Sequence, residues 1–158
     1  MRQEAIPSGI EALGRYKTKV TVDFTLAAWN TVANHRLFTV TGVVRAVGLY
    51  VVTGSLTSGG AATISFGWTF SNTAYAAAQT FANLTAGNIV NPNGTVTVAA
   101  LTQAFISTAA YADVISDAQN LGYAIATAAL TGGAMDAYCF WTPLSDDGSV
   151  AAGTGGAL

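Results

Sequence analysis

The sequence predicts an all-β domain, an antiparallel β-sandwich or jelly roll with an N-terminal arm and at most one or two short helices. Two observations carry this. Apolar and polar residues alternate at period two in several short runs, the mark of a strand with one buried face. Those runs, about seven to nine of them, are separated by Gly, Asn and Pro clusters with turn chemistry, which is the profile of a sandwich. No internal repeat of fixed period is present.

Taken in order, residues 1–14 (MRQEAIPSGIEALG) stand apart in composition, and Pro7, Gly9 and Gly14 break any long element. They are expected to form an arm, followed by a sandwich domain over 15–152 and a flexible Gly-rich tail over 153–158. From Lys17 the pattern alternates, with Thr18, Val20, Val22, Phe24 and Leu26 on one face. Lys17, Lys19, Thr21, Asp23 and Thr25 fall on the other, so a half-buried strand is expected. The run 36–53 is too long for one ordinary strand, and Gly42 and Gly48 offer places for a turn or a bend. Both of its faces are largely apolar, which implies cover on both sides, inside a sandwich or against another subunit.

After the turn at Thr57, Ser58, Gly59 and Gly60, a further strand sets Ala62, Ile64, Phe66, Trp68 and Phe70 on one face. The Ala-rich stretch 73–86 suits a short helix. Asn91-Pro92-Asn93-Gly94 is a turn leading into an alternating strand over 95–99, and 100–119 leans towards short strands. Residues 122–130 and 134–142 flank Thr131-Gly132-Gly133 and read as a β-hairpin, and Ser145-Asp146-Asp147-Gly148 reads as a turn.

Charge is the most unusual property. Only 9% of residues are charged, against roughly 25% in an average soluble domain. A surface of small neutral groups suits contact between copies of the chain, because few charges must be desolvated. The charges are also segregated. All 6 basic residues lie at or before Arg45, which gives that part a net +3, and the remainder carries −5 from Asp113, Asp117, Asp136, Asp146 and Asp147. Six scattered basic residues make no multi-phosphate footprint, so no nucleic-acid partner is expected. No membrane association is expected either, since the uncharged stretch 46–112 is interrupted every few residues by Thr, Ser, Gly, Asn or Gln. The first 20 residues hold 6 charges and no apolar signal segment, so no secretory signal peptide is expected.

Chemistry-bearing motifs are sparse. His35 is the single histidine and has no nucleophile motif around it, so a structural role at a strand start is expected. Cys139 is the single cysteine, set in the apolar run Tyr138 to Trp141, and reads as a small buried hydrophobe. Asp113 and Asp117 read as solvated or interface carboxylates, and Asp146-Asp147-Gly148 lacks the ligand spacing of a calcium loop. No glycine cluster makes a phosphate-binding fingerprint. No catalytic residue, cofactor or metal is therefore predicted. Trp68 and Trp141 read as core or interface aromatics, with Trp29 as the freer one.

Two stretches carry a resemblance. RLFTVTGVVRAVGLYVVTGSLTSGGAATISFGWTF, with His35 before it, resembles the strand pairs of small jelly-roll virion proteins of tailed bacteriophages. LTGGAMDAYCFWTPLSDDGSV, residues 130–150, is similar to the closing hairpin of the same group. The resemblance implies a non-enzymatic virion protein, a trimeric head-decoration or cement subunit (or a related spike or minor protein) on the outer head surface. Its partners would be copies of itself and the major capsid protein. Charge segregation then nominates Arg15, Lys17 and Lys19 as capsid anchors, and Arg45, Tyr50, Trp68 and Trp141 are the candidate subunit interface. Two other functions compete. A receptor- or carbohydrate-binding module of a tail fibre or head spike would expose Trp29, Tyr50 or Tyr75, and a tail or connector subunit would form rings or tubes.

Overall fold

The structure, a computed structural model, describes residues 15–69, 71–90 and 114–158. In chain order these form β1 (Tyr16–Asp23), a single helical turn α1 (Ala27–Asn30), β2 (Asn34–Thr41), β3 (Val43–Ser58), β4 (Thr63–Trp68) and β5 (Ser71–Thr80). A 3-10 turn (Phe81–Asn83) precedes β6 (Ile89–Val90), and β7 (Val114–Asp117), β8 (Leu121–Ala126), β9 (Leu130–Pro143) and β10 (Ser149–Ala152) follow.

The strands make two five-stranded antiparallel sheets. The first has the order β1-β9-β3, and the far edge of β3 is shared end to end, by β7 along Val43–Ala46 and by β6 at Tyr50 and Val51. The second has the order β10-β2-β8-β4-β5. Between the described strands the chain passes from one sheet to the other at almost every step, and among the described residues only β4–β5 and β6–β7 are successive strands of one sheet. This is the winding of a jelly roll, and it buries each sheet's apolar face against the other.

Alternation selects that face. Val20 and Val22 of β1, Val44, Ala46, Tyr50 and Val52 of β3, and Met135, Ala137 and Cys139 of β9 point inward. From the second sheet come Phe38, Val40, Ile64, Phe66, Trp68, Leu121, Tyr123 and Ile125. Fully burying one such aliphatic or aromatic side chain contributes about 1.5–3 kcal/mol. Tyr50 is the hub, packed on Phe66 at 4.5 Å and edge-on to Tyr75 at 5.0 Å between ring centroids. The 36–53 run divides at Gly42, whose φ of 59° lets β2 turn directly into β3.

Four expectations are corrected. The Ala-rich stretch is a strand over Ser71–Thr80 rather than a helix, because β4 needs a partner and Tyr75 and Ala76 are both buried against it. Burying two successive residues is achieved by register shifts in the β4–β5 pairing. The predicted 122–142 hairpin does not form: β8 lies in the second sheet and β9 in the first, so their connection crosses the sandwich. Thr131 to Gly133 sit within β9, where Gly133 at φ 107° makes the irregularity opposite Gly54 to Thr57. A Cβ on Gly133 would fall 2.8 Å from Leu56 Cα and Ser55 O.

The tail, expected to be flexible, is laid on β2. Gly153 N–H donates to Leu37 O at 2.7 Å, Arg36 N–H donates to Gly156 O at 2.8 Å, and His35 and Ala157 form a bridge. Leu26 does not extend the inner face of β1, because the strand ends at Asp23 and Leu26 turns outward. The Asn91–Gly94 turn, the 95–99 strand, Phe70 and Asp113 lie outside the described residues.

Candidate functional site

The outward face of the first sheet carries three of the seven residues that the sequence singles out, Lys17, Lys19 and Arg45. Strand parity puts Lys17, Lys19, Thr21 and Asp23 of β1 outward, together with Asp136, Tyr138 and Phe140 of β9. Register aligns them in rows that run on to β3: Lys17–Phe140–Val47, Lys19–Tyr138–Leu49 and Thr21–Asp136–Val51. Leu49, Val51, Tyr138 and Phe140 are half-buried, and Ile115 of β7, beside Arg45, is 70% exposed. An outer face this apolar is unusual for a sandwich strand, whose solvent side normally alternates to polar residues.

The charged end of the face is organised around Asp136. Lys19 Nζ lies 2.8 Å from Asp136 Oδ2, and Thr21 Oγ1 donates to Oδ1 at 2.8 Å. The Tyr138 hydroxyl donates to Oδ2 at 3.4 Å. Partial burial pushes the Asp136 carboxyl up, but the hydrogen bonds from Lys19 and Thr21 and the Lys19 charge outweigh it and hold the group below its usual range. Lys19 is raised in turn, chiefly by donating to Asp136. The ammonium groups of Lys17 and Lys19 also stand 5.9 and 5.5 Å from the centre of the Tyr138 ring, within cation–π range. Asp23 closes the strand, accepting from the N–H and hydroxyl of Thr25, whose bonds lower its pKa.

Of the candidate anchors, Lys17 and Lys19 therefore share one face around Tyr138. Arg15 lies just before β1, its N–H donating to Thr142 Oγ1 at 3.0 Å and its guanidinium 5.9 Å from the Tyr16 ring. The four candidate interface residues separate. Arg45 is on the outward face, opposite Thr142 and Ile115. Trp141 is half-buried at the rim, stacked on exposed Tyr16 at 4.7 Å with its Nε1–H donating to Thr18 Oγ1. Tyr50 and Trp68 are 0% and 1% exposed inside the protomer, so neither is available to a second chain. Both stand at inward positions of strands that are apolar on each side, and parity alone does not say which side closes.

Asp136, Tyr138, Phe140 and Ile115 were not singled out from sequence. The signal was present in β9, where Asp136, Tyr138 and Phe140 alternate with the inward Met135, Ala137 and Cys139. Among the remaining chemistry-bearing groups, His35 is 3% exposed and spent on structure. Its Nδ1 lies 3.1 Å from Ala28 O and 3.2 Å from Gly155 O, and its Nε2 lies 2.8 Å from Thr31 O. The ring stacks on Tyr123, whose hydroxyl donates to Trp29 O at 2.6 Å. Burial pushes the Cys139 thiol up to about 12, which keeps it protonated and inert. Asp147 accepts from Ser145 Oγ in the β9–β10 turn, and among the described residues no group of three His, Cys, Asp or Glu is placed to hold a metal ion.

The class these observations define is an all-β jelly-roll sandwich with a partly apolar outer sheet face. No protein-family model, curated protein or solved structure matches the chain.

Proposed function

We propose that the protein is a non-enzymatic structural subunit of a tailed-phage particle, a trimeric decoration or cement protein that clamps neighbouring major capsid subunits on the outer head surface. The observation that carries this reading is the outward face of the first sheet. There Leu49, Val51, Tyr138 and Phe140 lie on adjacent rows of β3 and β9, with exposed Ile115 of β7 beside Arg45 at the end of the same face. Such a face suits burial against another subunit, with the Lys17 and Lys19 row as a polar rim. The low overall charge supports the same conclusion.

Purified protein added to undecorated heads tests it. Saturable, stoichiometric binding and a raised disruption temperature are expected. A chain that ignores heads yet binds cells or glycans would sink the reading. That second function, a receptor or glycan module, keeps one supporting observation, the exposed Tyr16 ring stacked on Trp141 beside Arg15. The aromatics it was expected to expose, Trp29, Tyr50 and Tyr75, are 9%, 0% and 4% exposed.

A further inference from the structure

We infer that β1 is a self-pairing edge: two copies of the chain join through antiparallel β1–β1 pairing about a two-fold axis at Val20, with Lys17 of each copy opposite Asp23 of the other. β1 is an edge strand of eight residues, paired with β9 in unbroken register from Tyr16 to Asp23. Among the described residues no strand takes its other edge. An edge of this length, without proline or bulge, presents a row of backbone donors and acceptors suited to another strand.

Parity and charge select both the partner and the register. Opposed residues of an antiparallel pair share a sheet face, so the outward residues of one copy must meet outward residues of the other. Only registers centred on a residue satisfy this, and those centred between residues turn Val20 and Val22 towards solvent. A centre at Lys19 sets that lysine against itself. A centre at Thr21 sets Lys19 against Asp23, but Lys19 is already engaged by Asp136 at 2.8 Å. A centre at Val20 opposes Lys17 with Asp23 twice, Lys19 with Thr21 twice, and Val20 with Val20 on the inner face. It also overlaps almost the whole strand.

Lys17 and Asp23 are suited to that role. Among the described residues the salt bridge formed is Lys19–Asp136, and within them Lys17 and Asp23 have no ionic partner. Directly opposed side chains bring their Cβ atoms to about 5 Å, close enough for an ion pair. The second sheet ends on the same side of the sandwich, since Thr18 Oγ1 of β1 donates to Val150 O of β10. β10 reads Ser-Val-Ala-Ala, small and uncharged, so it brings no charge against the approaching copy. The result is one sheet continuous across both chains. This two-fold contact is additional to a three-fold one and independent of what the assembly sits on. A chain that pairs but ignores heads would overturn the decoration reading and leave this one standing.

The test is the mass of the full chain in solution by light scattering, with charge variants and cross-linking. Wild type is expected at even multiples of the chain. K17D puts a carboxylate opposite Asp23 at both ends and is expected to weaken pairing roughly tenfold or more. The exchange K17D/D23K should restore pairing to within about twofold. In the double variant K17C/D23C a short bismaleimide should couple chains into dimers, while K17C alone should not couple, because its two copies would stand roughly 20 Å apart along the strands. Buried Cys139 stays silent in the folded chain. A monomer or an odd-numbered assembly would show that Lys17 and Lys19 only guard the edge, and would overturn the inference. So would coupling in K17C alone, or equal pairing by K17D and the double exchange.

Discussion

Tyr50 and Tyr75 meet edge to face at the centre of the sandwich, yet their hydroxyls have different fates. Tyr75 donates to Gly48 O at 2.5 Å, whereas the Tyr50 hydroxyl is fully buried with no hydrogen-bond partner among the described residues. Desolvation raises the Tyr50 pKa far above the phenol range, so it stays neutral, but a neutral hydroxyl in an apolar site still forgoes its bonds to water. The two Tyr→Phe substitutions should therefore differ in sign or size. Tyr75→Phe should lose about 1 kcal/mol in chemical denaturation, because the Gly48 carbonyl loses its donor. Tyr50→Phe should change stability by less than about 0.5 kcal/mol or increase it, because the ring packing survives and an unpaired group is removed. Equal losses in both would contradict the hydrogen-bond assignment. At this scale the sequence was legible for cover over Tyr50, which stands in the run 36–53 with both faces largely apolar. It was not legible for burial by the same chain or another, since Val47, Leu49 and Val51 make the opposite face of β3 apolar as well.

Elements were legible where one face is polar and obscure where composition is uniform. β1 was visible because Lys17, Lys19 and Asp23 alternate with Val20 and Val22. β5 was hidden because Ala77, Ala78 and their neighbours favour a helix locally, and only the need to pair with β4 overrides that preference. The tail was hidden for a different reason: its Gly residues signal freedom, while what holds it comes from β2, through backbone bonds to Arg36 and Leu37 and the His35 ring. That ring reaches carbonyls of the α1 segment and of the tail together. His35→Phe keeps the stacking on Tyr123 but removes the ring nitrogens that face those carbonyls, so a loss of about 2 kcal/mol is expected. Faster amide exchange at Gly153 and Gly155 should accompany it, and unchanged exchange there would show that the tail holds by its backbone bonds alone. The β1–β9 seam has a pH signature. Asp136 is held below its ordinary value, so its contribution is complete above the unfolded carboxylate pKa of about 4 and is lost as pH falls through the lowered folded value. Lys19 is raised, so its share is complete below the unfolded lysine value of about 10.4 and is lost as pH rises through the folded one. The gap in melting temperature between wild type and Asp136→Asn should thus be flat at neutral pH and close in acid. A gap that persisted below the lowered Asp136 pKa would remove the seam as its cause.

On the scale of the whole molecule, the jelly-roll winding explains why so few charges suffice for folding and why they are informative where they remain. Each sheet buries its inner face against the other, so the core needs no ionic support, and the one salt bridge among the described residues lies on the surface. Stability and association can therefore be separated by mutation. Ile115 is 70% exposed at the end of the outward face, so Ile115→Glu touches no core contact and should leave the unfolding free energy within about 0.5 kcal/mol. If that face is covered in the assembled particle, the same substitution buries a carboxylate in an apolar contact and should abolish retention on heads. Lys17→Asp acts on the edge of the same sheet and should weaken pairing between copies while leaving the outward apolar rows intact. Two variants that are equally folded but fail in different assays would show that face and edge serve different contacts. If Ile115→Glu unfolds the chain, the outward face belongs to the protomer's own core, and the case for a covering subunit loses its main support.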